Sequence, residues 1–201
     1  MREKILIVVV LFAVSAVSAL MLAAVNAASR DIIIKNRERN FKMALLSVLE
    51  LEKTERELEE IYRERIKEQK LSAGKVYFFM GGKDNNVIKG AAFKLTGSGF
   101  WGPISVMVGV SIPGLKITGI EILEQGETPG LGARIEERHF REQFLSKSLN
   151  EVILIKVRGE KPGPNDVSAI TGATITSKSL EKIINEASRP YIDSLREINH
   201  G

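Results

Sequence analysis

The 201-residue sequence predicts an α+β protein. An N-terminal membrane helix runs into a long charged helix. One domain follows, with helices flanking a mostly antiparallel sheet of about five to six strands. Three observations carry this. Residues 5–25 hold no charged side chain. Residues 30–70 contain neither Gly nor Pro and are dense in Glu, Lys and Arg. From Lys75 onward, short β-rich runs alternate with Gly/Pro turns until a final amphipathic stretch. The expected division is 1–28 for a cytoplasmic N-terminus and transmembrane anchor, 29–72 for an amphipathic connecting helix, and 73–201 for an extracytoplasmic domain.

Composition excludes several kinds of chemistry. There is no cysteine, hence no disulfide, thiolate-bound iron–sulfur cluster, thioether haem or lipoprotein anchor. With only His139 and His200, no histidine-rich metal site is expected. The formal charge of +4 and pI near 9.3 suit proximity to anionic lipid or an acidic partner. No basic patch with interleaved aromatics points to nucleic acid.

The apolar run at 5–25 spans roughly 30 Å as a helix, the thickness of a bilayer core. Arg2 and Lys4 precede it, so the positive-inside rule keeps the N-terminus in the cytoplasm. Val25-Asn26-Ala27 also resembles a signal-peptide cleavage site, but the run exceeds a signal core. Over 30–70, Phe41, Ala44, Leu45, Val48, Leu49, Leu51, Leu58, Ile61 and Tyr62 suggest one long amphipathic helix. Glu59–Arg63 is one of its i,i+4 pairs.

Residues 76–79 and 87–95 read as a hairpin around a turn at Gly81-Gly82-Lys83-Asp84-Asn85. Gly97-Ser98-Gly99-Phe100-Trp101-Gly102-Pro103 is too glycine-rich for a strand. The strand-like run at 104–111 after it rules out a dinucleotide fingerprint. Ile112-Pro113-Gly114 is a turn, and 116–123 a strand. Glu127-Thr128-Pro129-Gly130-Leu131-Gly132 marks a specialised loop. Residues 136–148 read as a helix with Phe140, Phe144 and Leu145 on one face and His139 outside. Residues 152–157 form a short buried strand, and 159–166 a rigid loop. Leu180, Ile183, Ile184, Ala187 and Tyr191 mark the closing helix, which Pro190 kinks or divides.

Thr171-Gly172-Ala173-Thr174-Ile175-Thr176-Ser177 leads into that helix. Thr176 or Ser177 fits an N-cap, placing Thr174 on a small-residue turn before it. Free N–H groups and the helix dipole favour phosphate there, and Gly172 and Ala173 let a large group approach. Taken alone, the run reads more readily as a Ser/Thr-rich cap with no chemistry. No acid, base or nucleophile constellation stands out anywhere, so no catalytic residue and no metal ligand is assigned.

The Thr171-Gly172-Ala173-Thr174 core resembles the flavinylation motif of the FMN-binding domain shared by the G subunit of Rnf-type complexes and the C subunit of Na+-translocating NADH:quinone oxidoreductase. That motif reads Asp-x-x-Ser/Thr-Gly-Ala-Thr; Ser168 stands at its Asp position here, and Asp166 is two residues earlier. The loops at 97–103 and 127–132 match further family motifs in the right order. The resemblance covers about residues 75–185 and implies covalent FMN on Thr174 through a phosphoester. It also implies cofactor-binding roles for Thr171, Gly172, Ala173, Thr176, Ser177, Glu127, Thr128, Gly130, Leu131, Gly132 and Trp101. Lys178 either adds charge near the phosphate or is a solvated helix residue. The implied function is electron transfer within an Rnf-type complex coupling ferredoxin and NAD to Na+ or H+ movement. The partners would be other members of the complex, a flavin transferase and the lipid bilayer. The alternatives are the quinone-reductase C subunit, another exported FMN-binding protein, or a scaffold in which the threonine turn only caps a helix.

Overall fold

The computed structural model describes residues 2–51, 57–82, 87–157 and 159–200, with side chains through Ile198. The turn residues Lys83-Asp84-Asn85 and the part of the charged run at 52–56 lie outside the described residues.

The chain divides into two compact units, Met1–Asn40 and Phe41–Gly201. The described residues of the first, 2–40, are helical and lie within α1 (Arg2–Val48). This helix is long and apolar enough to cross a membrane, with an 18-residue window of mean hydropathy 3.0 and none of that window buried. Its large apolar side chains from Ile5 to Val25 are all exposed, as lipid-facing residues would be.

The second unit is built on a sheet in which each strand pairs antiparallel with the next: β1 (Ile66–Leu71), β2 (Gly74–Gly81), β3 (Val87–Ser98), β4 (Pro103–Ser111) and β5 (Ile117–Glu124). Central β4 is buried from Ile104 to Val110 without alternation. A strand reads this way when both faces of its sheet are covered. On one face Phe93, Leu95, Val106 and Val108 pack with Leu180, Ile183 and Ile184 of α4 (Thr174–Ala187). On the other, Tyr77, Ala92 and Met107 pack with Leu45, Leu46 and Val48 at the end of α1.

α1 does not continue through residue 70 as the periodicity suggests. Glu50 takes φ 56° and the Leu51 amide returns to the Leu46 carbonyl at 3.1 Å, a left-handed termination that satisfies an orphan carbonyl. α2 (Leu58–Arg65) is short, and Ile66–Leu71 is an edge strand in register with β2. Its Lys-Glu-Gln-Lys centre favours helix locally, but pairing overrides that propensity. The same charges guard the sheet edge against a second chain.

The helix expected at 136–148 is broken as well. A 3-10 turn (Gly132–Glu136), the four-residue α3 (Arg138–Arg141) and a second 3-10 turn (Glu142–Phe144) take its place. Extended Glu137 separates the first two. Phe140 and Phe144 are fully buried, whereas Leu145 and His139 face solvent. The strand expected at 152–157 shrinks to β6 (Ile155–Lys156), which pairs parallel with β7 (Val167–Ser168). Asn185 and Glu181 of α4 hold this segment by hydrogen bonds to Ile153 and to the Ile155 amide. The closing helix divides at Ser188 into α4 and α5 (Arg189–His200). Pro190 then sits in the first turn of α5, where its missing N–H does no harm.

Candidate functional site

Three segments distant in sequence converge at one end of the sheet. The first is the β3–β4 turn, residues 99–102, closed by a 2.8 Å bond from the Gly99 amide to the Gly102 carbonyl. It is a tight hairpin turn, and Trp101 is 68% exposed rather than packed inside. The second is the loop at 127–132. The Thr128 carbonyl accepts from the amides of Leu131 and Ala133 at 3.1 and 3.2 Å, which rolls the chain into the following 3-10 turn. The third is the N-terminus of α4.

α4 begins earlier than the cap residues suggest. Ala173 is its N-cap, with no side-chain capping bond, and Thr174 is the first helical residue. Thr176 and Ser177 lie inside the first turn. The Ser177 hydroxyl is buried, donating to the Ala173 carbonyl at 3.0 Å and accepting the Ile170 amide at 3.1 Å. Both bonds stabilise the turn from below and point the hydroxyl away from any ligand. Gly172 holds φ +83°, a left-handed conformation that glycine adopts without strain. That conformation leaves Thr171 and Thr174 exposed on either side of the turn.

Between the segments lies a cleft of about 330 Å³. Of the residues assigned from sequence, Trp101, Glu127, Thr128, Leu131, Gly132, Gly172, Ala173, Thr174 and Thr176 line it. Thr171, Gly130 and Ser177 do not. Phe100 and Ile175 line it too, and no residue-level signal singled them out. Phe100 stands edge-on to Trp101 with ring centroids 5.0 Å apart. Together with Leu131 and Ile175, these rings give the cleft an exposed apolar wall. Lys178 pairs with Glu181 at 2.9 Å, so its charge serves α4 itself.

Glu127 lies beneath this wall, 5% exposed. Its Oε1 accepts the amides of Phe100 and Trp101 at 2.8 and 3.0 Å, and its Oε2 accepts the Thr176 hydroxyl at 2.7 Å. Burial pushes its carboxyl up. The bonds from Thr176 and the amides of Trp101, Phe100 and Gly102 outweigh that and hold it below the ordinary carboxylate value. Gly99 and Gly132 make room for this carboxylate. A Cβ on Gly132 would meet Thr176 Oγ1 at 2.6 Å and Glu127 Oε2 at 2.7 Å.

An open apolar cleft whose edge carries a hydroxyl at a helix N-terminus suits a flat ring attached to a phosphate: the wall takes the ring and the first-turn amides take the anion. Residues 99–189 match the FMN-binding domain family. The stretch holds all three site segments, and it defines the class: an FMN-binding domain protein. Across a longer span the chain is 34% identical over 189 residues to the G subunit of the Na(+)-translocating ferredoxin:NAD(+) oxidoreductase complex of Acetobacterium woodii, covering 90% of this chain and 88% of that one. It is 38% identical over 89 residues to the G subunit of the proton-translocating ferredoxin:NAD(+) oxidoreductase complex of Clostridium ljungdahlii, covering 44% of this chain and 46% of that one. The crystal structure of the C subunit of Na(+)-translocating NADH-quinone reductase from Parabacteroides distasonis shares the fold. Its TM-score is 0.68 at 24% identity, covering 83% of this chain and 96% of that one. The chain therefore belongs to the family of FMN-binding G subunits of Rnf-type complexes.

Proposed function

We propose that this chain is the flavin-carrying member of an Rnf-type complex, with FMN joined by a phosphoester to the Thr174 hydroxyl. The observation that carries the reading is the position of Thr174. It is the first residue of a fourteen-residue helix, exposed, and on the lip of an apolar cleft. The N–H groups of the first helical turn have no partner within the helix, and the dipole adds positive potential there. Gly172 and Ala173 keep side-chain bulk away from the approach. Trp101, Phe100, Leu131 and Ile175 offer the apolar surface for the ring, and the Thr128 to Gly132 loop sets its exposure.

Bound FMN supplies reversible electron transfer at its ring. The protein's part is to keep it attached and oriented. The long match to a G subunit favours this assignment over the quinone-reductase C subunit. Residues 1–28 would anchor the chain with its N-terminus in the cytoplasm and residues 73–201 on the extracytoplasmic face. A flavin transferase would install the cofactor, and neighbouring members of the complex would supply and accept its electrons while Na+ or H+ crosses the bilayer.

The test is mass spectrometry of the denatured intact protein taken from its native membrane. We expect the mass of one FMN less one water, mapped to the peptide holding Thr174. An unmodified mass from cells that contain the transferase would sink the reading.

A further inference from the structure

We infer that Glu127 is a positioning residue of the cleft: its carboxylate ties the Phe100–Trp101 turn to the first turn of α4, and through that tie it sets Thr174 against the apolar wall. The inference rests on the flavin reading for its purpose, but its geometry stands apart from it. One oxygen holds two amides of the β3–β4 turn and the other holds Thr176, two residues beyond Thr174. The carboxylate bridges elements that no backbone bond joins here. Its own amide is fixed by Gln125 Oε1 at 2.6 Å, so the brace is anchored at its base as well. Glu127 lines the cleft at its floor, but each of its oxygens is engaged by the protein, so it supports the residues that form the exposed wall. Hydrogen bonds to an ionised acceptor are the strong kind, and Gly99 and Gly132 pack so closely around it that a Cβ on either would meet one of its oxygens.

The full chain in detergent, with and without flavin, tests this. Hydrogen exchange on flavin-free protein reads the brace directly. In Glu127→Ala the Phe100 and Trp101 amides should exchange roughly ten- to a hundredfold faster, the loss expected for a bond to a charged acceptor. Amides of central β4 such as Val106 and Val108 should hold their rates. Trp101 is the only tryptophan, so its fluorescence anisotropy reports the wall, and it should fall. The initial rate of flavin attachment, with the transferase present, should drop severalfold. Glu127→Gln keeps an acceptor for the two amides and offers its NH2 to Thr176 Oγ1, so it should recover most of the anisotropy and attachment. If Glu127→Ala fails to fold, the same readings on Glu127→Asp decide: a shortened brace must loosen both Trp101 and attachment. Unchanged exchange at Phe100 and Trp101, or unchanged attachment alongside a released turn, overturns the positioning role. Protein that never takes flavin but shows the released turn removes the flavin reading alone.

Discussion

The two faces of the five-stranded sheet are covered in different ways. One face receives the end of α1, where Leu45, Leu46 and Val48 pack on Tyr77, Ala92 and Met107. The approach is so close that Gly109 and Gly119 have the Val48 backbone where a Cβ would stand. The other face receives α4, with Ile183 set over Gly97. There the packing stops short at one end. α4 begins at the cleft, and Trp101, Leu131 and Ile175 stay in solvent. Both faces use glycine to bring a helix down onto the sheet. Only one leaves apolar surface and a helix N-terminus unspent. Close packing without an opening gives stability, and the same packing interrupted at a helix start gives a place for a ligand.

That contrast can be broken by substitution. The largest effect belongs to Thr174→Val: covalent flavin should vanish from the SDS-denatured protein while the thermal midpoint holds, because only an exposed hydroxyl is lost. Flavin surviving denaturation in that variant would put the attachment elsewhere. On the closed face, Leu46→Ala should act in the opposite sense. It should lower unfolding stability by about 2–5 kcal/mol, as for a fully buried leucine, and denaturant titration with flavin stoichiometry would check both halves. Lost flavin per folded molecule would mean that the faces are not independent. Gly172→Ala should cost about 1–2 kcal/mol, since alanine resists the left-handed turn, and it should slow flavin attachment.

The smallest effect is on pH dependence. The Glu127 carboxyl is held below 4.5, so the folded state binds its proton less readily than the unfolded chain. Its contribution is complete above about 4.5 and fades as pH falls through the folded value. Unfolding curves of Glu127→Gln should therefore be flatter with pH in the acid range than those of the parent protein. Parallel curves would show that the carboxylate titrates alike folded and unfolded.

Much of this arrangement is legible in the residues. The run of β4, apolar from Ile104 to Val110 but for Ser105 and Gly109, marks a doubly covered strand, and Pro190 marks the division of the last helix. The Pro-Gly-Leu-Gly and Thr-Gly-Ala-Thr runs mark two edges of the cleft. Other parts depend on contacts distant in sequence. Ile66–Leu71 carries helix-favouring residues and becomes a strand only because β2 offers a partner. Residues 136–148 have helical spacing, yet burying Phe140 and Phe144 while Ser148 bridges to Lys116 requires a broken path. The service of Glu127 is hidden for the same reason. An acid before Thr-Pro-Gly reads as a loop residue until the fold brings Thr176 and the Phe100 amide to it. The hydroxyls of Thr176 and Ser177 suggest ligand contacts in sequence but turn inward. α4 already starts at Thr174, so both fall within its first turn and on its buried side.

The sequential order of the sheet also bears on how the cleft is completed. Each strand pairs with the one just before it, so the hairpins can close in turn as the chain is synthesised from its N-terminus. α4 lies about fifty residues beyond β5, and the cleft has no second wall until it docks. The threonine on its first turn thus stands in its final surroundings only where the β3–β4 turn and the 127–132 loop are both in place. An enzyme that recognises that assembled corner would act on finished domains and pass over nascent or misfolded ones.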